Sequence, residues 1–266
     1  MHVKSLGYRT DLVFSEFEGE VTDRGDYLVI TTPTNPGYFW GNFLLFAGPP
    51  TQGDLQSWST LFAAEFACWP QVDHLAFGWD SPDGAEGAVN PFLDAGFRVL
   101  RRTVLAASAV VCPPSYNPNI EVRSLEGDSD WDQVLETQLE SSISEGGHSP
   151  GHIQMTRTRV DGFRAMVEAG LGKWFGAFVG KQMAGGLGLF VKQGVGRFQE
   201  VVTRFEYRRQ GICRSLVYRA SIQAFAHMGA EKLVMVADDD YVAARIYEQV
   251  GFRPVERQVG VDNWRL

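Results

Sequence analysis

One stretch of the sequence, residues 201–214, constrains the fold more than any other. It begins as a β-rich run, passes through a short basic segment to a single glycine, Gly211, and continues with apolar residues at helical spacing. A strand, a turn with free backbone N–H groups and a helix N-terminus together form the usual binding site for a diphosphate. The alternative is an ordinary strand–loop–helix with a solvated basic loop. The charge that a diphosphate requires would come from Arg204, Arg208, Arg209 and Arg214.

The hydrophobic pattern over residues 120–266 predicts a strand, two helices, three strands, the loop, then helix, strand, helix and strand. Residues 112–119 contain three prolines in eight positions, which neither a helix nor a central strand accepts. We therefore predict two domains, residues 1–112 and 120–266, joined by a linker at 113–119. Apolar residues over Asp11–Phe17 predict a strand, and Gly162 predicts an interruption of the second helix after the linker.

A second motif follows the first, with Asp240, Ala243, Ile246, Tyr247 and the pair Gly251-Phe252 at fixed spacing. Together the two motifs resemble the Gcn5-related N-acetyltransferase (GNAT) superfamily. The phosphate loop of that family, V-x-P-x-Y-R-x-x-G-x-G/A, stands here as residues 203–213. Its later motif, N-x-x-A-x-x-L-Y-x-x-x-G-F, stands as residues 240–252. The resemblance extends from about residue 120 to residue 266 and implies an α+β fold with a mixed, largely antiparallel sheet flanked by helices.

The resemblance implies direct transfer of an acetyl group from acetyl-CoA to an amine, without a metal. Strand residues 201–203 would offer backbone groups to the pantetheine amide, and the N–H groups of residues 209–213 would bind the diphosphate. Phe205, Cys213 and Asp240 depart from the motifs. Cys213 is interpreted as a small residue that packs a helix start. The implied cofactor-binding residues are Val201, Val202, Thr203, Arg208, Arg209, Gln210, Gly211, Ile212, Cys213, Arg214 and Asp240.

Tyr247 matches the position at which a tyrosine of the family often protonates the departing CoA thiolate. It also fits a tyrosine that packs into the core, but the motif spacing favours the functional role. Glu200 is the candidate general base because it lies on the strand that leads to the phosphate loop. It could instead be a solvated strand residue or an arginine partner. His148 and His152 lie in or beside a glycine-rich loop and are alternatives as the base.

The first half of the chain carries a weaker copy of the second motif. Residues 88–102 resemble residues 243–257, with Gly96-Phe97 in place of Gly251-Phe252 and Phe92 in place of Tyr247. This indicates a tandem, whose first copy would lack the two early helices of the fold. Its loop, residues 47–53, has two prolines and no arginine. We therefore predict that the first half binds no CoA and packs on the catalytic half.

Composition excludes several other classes of protein. The net charge of −8 argues against a general nucleic-acid binder, and no apolar run reaches the length of a membrane span. The three cysteines are widely separated and form no metal-binding pattern, which favours a reducing cytoplasm. The expected partner is a small-molecule or peptide amine, and the expected assembly is a monomer or weak homodimer. A non-catalytic CoA-binding sensor and an acyltransferase that uses another acyl-CoA stay open.

Overall fold

This computed structural model describes residues 1–142, 149–239 and 243–264. The helices are α1 (Leu6–Glu18), α2 (Asp54–Glu65), α3 (Asn90–Asp94), α4 (Asp128–Ser141), α5 (Pro150–Glu168), α6 (Ile212–His227) and α7 (Ala243–Glu248). The strands are β1 (Glu20–Asp23), β2 (Tyr27–Thr31), β3 (Phe43–Phe46), β4 (His74–Trp79), β5 (Arg98–Ala107), β6 (Glu121–Ser124), β7 (Gly172–Val179), β8 (Gln182–Lys192), β9 (Val195–Thr203), β10 (Lys232–Asp238) and β11 (Arg253–Trp264). Most neighbouring strands are antiparallel, and β3–β4 and β9–β10 are parallel pairs. The predicted α+β class with a mixed, largely antiparallel sheet is confirmed.

The described residues form two compact units. Unit 1 consists of residues 1–104, 237–239 and 255–264, and unit 2 of residues 105–142, 149–236 and 243–254. Residues 255–264 belong to unit 1 because β11 pairs with β4 along its length, from Val259 opposite Trp79 to Trp264 opposite His74. The units therefore differ from the predicted division at 113–119, which assigned this strand to the second domain.

Unit 1 contains the strands β1-β2-β3-β4-β11-β5 in that order. One face is covered by an aromatic core that includes Trp58 of α2, Phe77 of β4 and Phe92 of α3. The other face packs against α1, through residues such as Tyr8 and Leu12. Each helix buries only one stripe, so burial of these stripes holds the layers together.

The first helix corrects a prediction. The segment that includes Asp11–Phe17 is not a strand but part of α1, which Ser5 caps by accepting a hydrogen bond from the Tyr8 N–H. The buried positions Tyr8, Leu12 and Ser15 recur at helical spacing, and Phe17 is exposed. The three consecutive apolar residues 12–14, followed by the exposed Phe17, therefore made the segment resemble a strand. The first half consequently has a helix before its strands, where the sequence predicted that both early helices were missing.

Unit 2 contains the strands β10-β9-β8-β7-β6 in that order. Helices α4, α5 and α6 pack on these strands, and an aromatic cluster of Trp131, Phe163 and Trp174 lies between α4, α5 and β7. Helix α5 runs without a break from Pro150 to Glu168, so the predicted interruption at Gly162 is wrong. A glycine within a helix costs only about 1 kcal/mol, which the packing of a long amphipathic helix offsets.

Candidate functional site

Strand β9 carries an irregularity at the residue that the sequence singled out as a base. In its antiparallel register with β8, Gly188 lies opposite Gln199 and Gly186 lies opposite Val202. Leu187 therefore faces two residues, Glu200 and Val201, which defines a β-bulge. Glu200 has a φ of 50°, in the left-handed region that non-glycine residues seldom adopt. Such local strain is frequent beside functional sites.

The parallel pairing of β9 with β10 covers only the start of β9. It joins Val195, Gly196 and Arg197 to residues 232–234, and the register recorded among the described residues ends there. Both strands continue, β9 to Thr203 and β10 to Asp238. The edge of β9 that includes Val201, Val202 and Thr203 is thus not paired with β10 and can meet another extended chain, although the Thr203 carbonyl also accepts a hydrogen bond from Arg208.

The segment after β9 has the shape that the sequence predicted. A short 3₁₀ turn at Phe205–Tyr207 leads to Arg209, whose φ is 61°, and to Gly211, whose φ is 77° and which directly precedes α6. Among the described residues, the backbone N–H groups of residues 209–214 have no hydrogen-bond acceptor. Six donors at or just before the start of a sixteen-residue helix suit an anion, because the helix dipole would add to their hydrogen bonds.

The four arginines of this stretch divide into two pairs. Arg204 is held by Glu136 of α4 at 3.0 Å, and Arg208 donates to the Thr203 carbonyl at 3.2 Å and lies over the Phe205 ring. Within the described ranges, Arg209 and Arg214 form no ion pair. Arg204 and Arg208 therefore fix the loop, while Arg209 and Arg214 leave their charge for a ligand.

The proline-rich segment lies against the loop, which the sequence did not predict. Asn117 donates from its side-chain amide to the Gln210 carbonyl at 2.9 Å, and its backbone N–H donates to Ser215 Oγ at 2.7 Å. A side-chain carbon added to Gly211 would overlap the Ser115 carbonyl oxygen. The glycine is thus required both by its backbone angle and by this close approach.

Glu200 is paired rather than solvated. Its carboxylate accepts a short hydrogen bond from Arg159 of α5, and both side chains are about one-fifth to one-quarter exposed, at 19% for Arg159 and 24% for Glu200. The Gln138 side chain of α4 donates to the Glu200 carbonyl at 3.4 Å. The sequence offered an arginine partner as one alternative, but Arg159 lies 41 positions away and no local pattern identifies it.

Tyr247 is buried in α7, with 6% of its surface exposed. Its ring contacts Phe252 at 6.5 Å between centroids, and Phe252 contacts Phe198 of β9 at 5.8 Å. These contacts connect the tyrosine to the strand that carries Glu200. The predicted ligand residue Asp240 and the alternative base His148 lie outside the described residues. His152 lies in the first turn of α5.

The thiol of Cys213 is expected to have low reactivity. Burial raises the pKa of Cys213 to about 11, an effect that the charge of Arg214 only partly offsets. The side chain is therefore protonated at neutral pH and is a poor nucleophile or metal ligand. This agrees with its interpretation as a small packing residue.

The described residues contain neither a metal-binding cluster nor a membrane-spanning helix. In the described part of the chain, no group of three or more histidine, cysteine or carboxylate side chains is arranged to hold a metal ion. No helix among the same residues has the length and apolar character needed to cross a bilayer.

Comparison with known proteins identifies the second half. Residues 131–252 match the model of the acetyltransferase (GNAT) family and form a domain of that family. A comparison with curated proteins found no match. Among solved structures, a GCN5-related N-acetyltransferase from Kribbella flavida is 14% identical with a TM-score of 0.66, covering 97% of this chain and 96% of its own.

Two other solved structures have the same fold. A conserved protein of unknown function from Staphylococcus epidermidis is 12% identical with a TM-score of 0.70, covering 94% of this chain and 96% of its own. A tandem GNAT protein from the clavulanic acid biosynthesis pathway is 14% identical with a TM-score of 0.54, covering 84% of this chain and 78% of its own. Because these alignments include the first half, that half is also GNAT-like in fold.

Proposed function

We propose that unit 2 transfers an acetyl group from acetyl-CoA to a primary amine of a small molecule or peptide. One observation carries the proposal. A strand that is bulged and half-paired leads directly into a loop at the start of a long helix, and the backbone N–H groups of this loop have no partner among the described residues. The strand suits an extended amide-bearing arm and the loop suits a diphosphate, and CoA joins these two groups in this order.

The pantetheine arm would add to the open edge of β9. Its amides would pair with the backbone at Val201, Val202 and Thr203, as a further strand does. The diphosphate would then meet the N–H groups of residues 209–214. Arg209 and Arg214 would supply charge without first breaking an ion pair with a described residue.

The reaction needs one base and one acid. The acceptor amine attacks the acetyl carbonyl only after losing its proton, and the new C–N bond forms as the C–S bond breaks. In this proposal Glu200 takes the proton from the amine and the Tyr247 hydroxyl protonates the thiolate. Because the Arg159 guanidinium occupies the Glu200 carboxylate, the acceptor must open this ion pair when it binds.

The same ion pair favours one alternative, a module that binds CoA without turnover. A carboxylate that stays locked to Arg159 could not accept a proton from an amine.

The test is a screen of amines with acetyl-CoA, in which acetyl transfer is measured by the release of free CoA thiol. We expect turnover by the wild type, and about a 100-fold lower kcat in Tyr247→Phe and in Glu200→Gln, with the KM for acetyl-CoA unchanged. Tyr218→Phe, on α6 of the same unit, is the matched control and should keep its kcat. Calorimetry with acetyl-CoA and longer acyl-CoAs identifies the donor. Tight binding of acetyl-CoA without turnover of any amine would support the sensor instead.

A further inference from the structure

We propose that Asn117 is a positioning residue that holds the loop of residues 209–214 in the shape required by the CoA diphosphate. The inference rests on the proposed function, in which this loop binds CoA. It concerns a residue outside the residues matched to the family, 131–252, and outside both sequence motifs. Asn117 lies in the proline-rich segment that the sequence predicted to be only a linker.

Asn117 connects three points with three hydrogen bonds. Its Nδ2 donates to the Gln210 carbonyl at 2.9 Å, and its backbone N–H donates to Ser215 Oγ at 2.7 Å. Its Oδ1 accepts the Asn119 N–H at 2.9 Å, which fixes the turn of its own segment. Ser215 is fully buried in the first turn of α6. One bond therefore fastens the segment to the helix, and another reaches from the fixed segment to the loop.

The point that Asn117 holds is where the loop needs support. Gln210 lies between Arg209 and Gly211, which have φ values of 61° and 77°. A left-handed conformation costs a non-glycine residue roughly 1–2 kcal/mol, so Arg209 would leave it without an external constraint. The N–H groups of the loop have no partners among the described residues that could supply this constraint. The Asn117 amide supplies it by binding the carbonyl between the two unusual residues.

The same segment limits movement from a second side. The Ser115 carbonyl lies so close to Gly211 that no side chain fits between them. The Tyr116 ring packs edge-on against Tyr218 of α6 at 6.1 Å. Residues 115–117 thus form a fixed surface behind the loop. A preorganised loop binds its ligand more tightly because less conformational freedom is lost on binding.

The experiment compares Asn117→Ala with Asn119→Ala, a matched control two residues further along the same segment. Binding of acetyl-CoA is measured by calorimetry, and turnover is measured with acetyl-CoA and with S-acetylpantetheine, which lacks the diphosphate. For Asn117→Ala we expect Kd and KM for acetyl-CoA to rise about tenfold with kcat unchanged. Its kcat/KM for S-acetylpantetheine should equal that of the wild type, and Asn119→Ala should resemble the wild type with both donors.

Two further variants separate positioning from a general effect on folding. Asn117→Asp keeps an acceptor for Asn119 but cannot donate to Gln210, so it should bind acetyl-CoA as weakly as Asn117→Ala or more weakly. Ser215→Ala removes the acceptor for the Asn117 N–H and should weaken binding about threefold. Equal losses with both donors, normal binding by Asn117→Asp, or Kd values for Asn117→Ala within twofold of the wild type would each overturn the proposal. A wild type that does not bind acetyl-CoA would instead overturn the proposed function.

Discussion

The described residues of each unit include a parallel pair of strands, β3–β4 in unit 1 and β9–β10 in unit 2, and the two pairs differ at their carboxyl ends. In unit 1, β3 pairs with β4 to its last residue, Phe46 opposite Trp79, and the Asp80 N–H extends the pairing by donating to the Phe46 carbonyl at 2.9 Å. In unit 2, the β9–β10 register ends at Arg197 and Val234, although β9 continues to Thr203. The β3–β4 pair is thus hydrogen-bonded to its carboxyl end, whereas the β9–β10 pair leaves one edge of β9 unpaired there.

The helix that connects the two strands of each pair differs in the same sense. Both α2 and α6 begin after a glycine in the left-handed region, Gly53 at 95° and Gly211 at 77°. At α2, however, the Asp54 carboxylate accepts the Thr51 N–H at 2.6 Å and adds a negative charge of its own. At α6 the first turn contains no acidic side chain. Unit 1 thus provides an anion internally, whereas unit 2 leaves the position for an external one.

The space beside the β3–β4 pair is filled with aromatic side chains. Phe46 stacks on Trp58 at 3.8 Å, and Trp58 contacts Phe92, the residue that corresponds to Tyr247, at 5.6 Å. The comparison teaches that a similar order of elements can serve either packing or binding. What separates the two is the length of the strand pairing and the charge at the helix start.

The largest expected effect is the loss of acetyl-CoA affinity in Gly211→Ala, for which Gly53→Ala in unit 1 is the matched control. Gly211→Ala places a side chain in the left-handed region and against the Ser115 carbonyl, so we expect acetyl-CoA affinity to fall about 1000-fold. Gly53→Ala, at φ 95° with open space around it, should cost about 1 kcal/mol of stability and leave affinity unchanged. Calorimetry measures both. Binding of two acetyl-CoA molecules per wild-type chain, or similar losses of acetyl-CoA affinity in both variants, would contradict this difference between the units.

A smaller effect is expected for cysteine alkylation. Because burial raises the pKa of Cys213 to about 11, against an ordinary value of 9.0, its thiolate fraction at pH 8 should be about 100-fold lower than that of an ordinary thiol. Iodoacetamide labelling followed by mass spectrometry should therefore modify the exposed Cys68 and Cys112 before Cys213. Saturating acetyl-CoA should slow Cys213 further and leave Cys68 unchanged. Rapid labelling of Cys213 at pH 8 would contradict this.

The smallest effect concerns acid stability of unit 1. Burial lowers the pKa of His74 below its ordinary value of 6.5, and the ring donates to the Asn42 carbonyl at 2.9 Å. The unfolded chain therefore binds this proton more readily, so stability is complete above pH 6.5 and decreases as the pH falls below it. The midpoint of urea unfolding should be lower at pH 5.5 than at pH 7.

His74→Gln keeps a donor for Asn42 and should remove much of this difference. Five of the seven tryptophans lie in unit 1, so tryptophan fluorescence reports mainly on that unit. An equal pH dependence in wild type and His74→Gln would show that His74 is not its source.

The sequence was informative where one short segment determines its own conformation. Strand β9, the loop and α6 follow from consecutive residues, and residues 131–252 match the family that the two motifs indicate. It failed at α1, where three consecutive apolar residues, 12–14, and the exposed Phe17 resembled a strand. Local sequence patterns carry no information on contacts between residues that are distant in sequence and meet only in the folded chain. Arg159 with Glu200 and Asn117 with Gln210 are such contacts. The roles of Tyr247, Glu200 and the cofactor residues stay predictions.

The position of β11 has a consequence for synthesis on the ribosome. Unit 1 lacks the strand between β4 and β5 until residues 255–264 emerge, and by then all other described segments of both units have been translated. The usual order, in which an N-terminal unit folds first during translation, cannot be completed here. Until then β4 exposes an unpaired edge, which is a surface that chaperones or other nascent chains can bind. Translation speed through the second half thus becomes a factor in how much of the first half folds correctly.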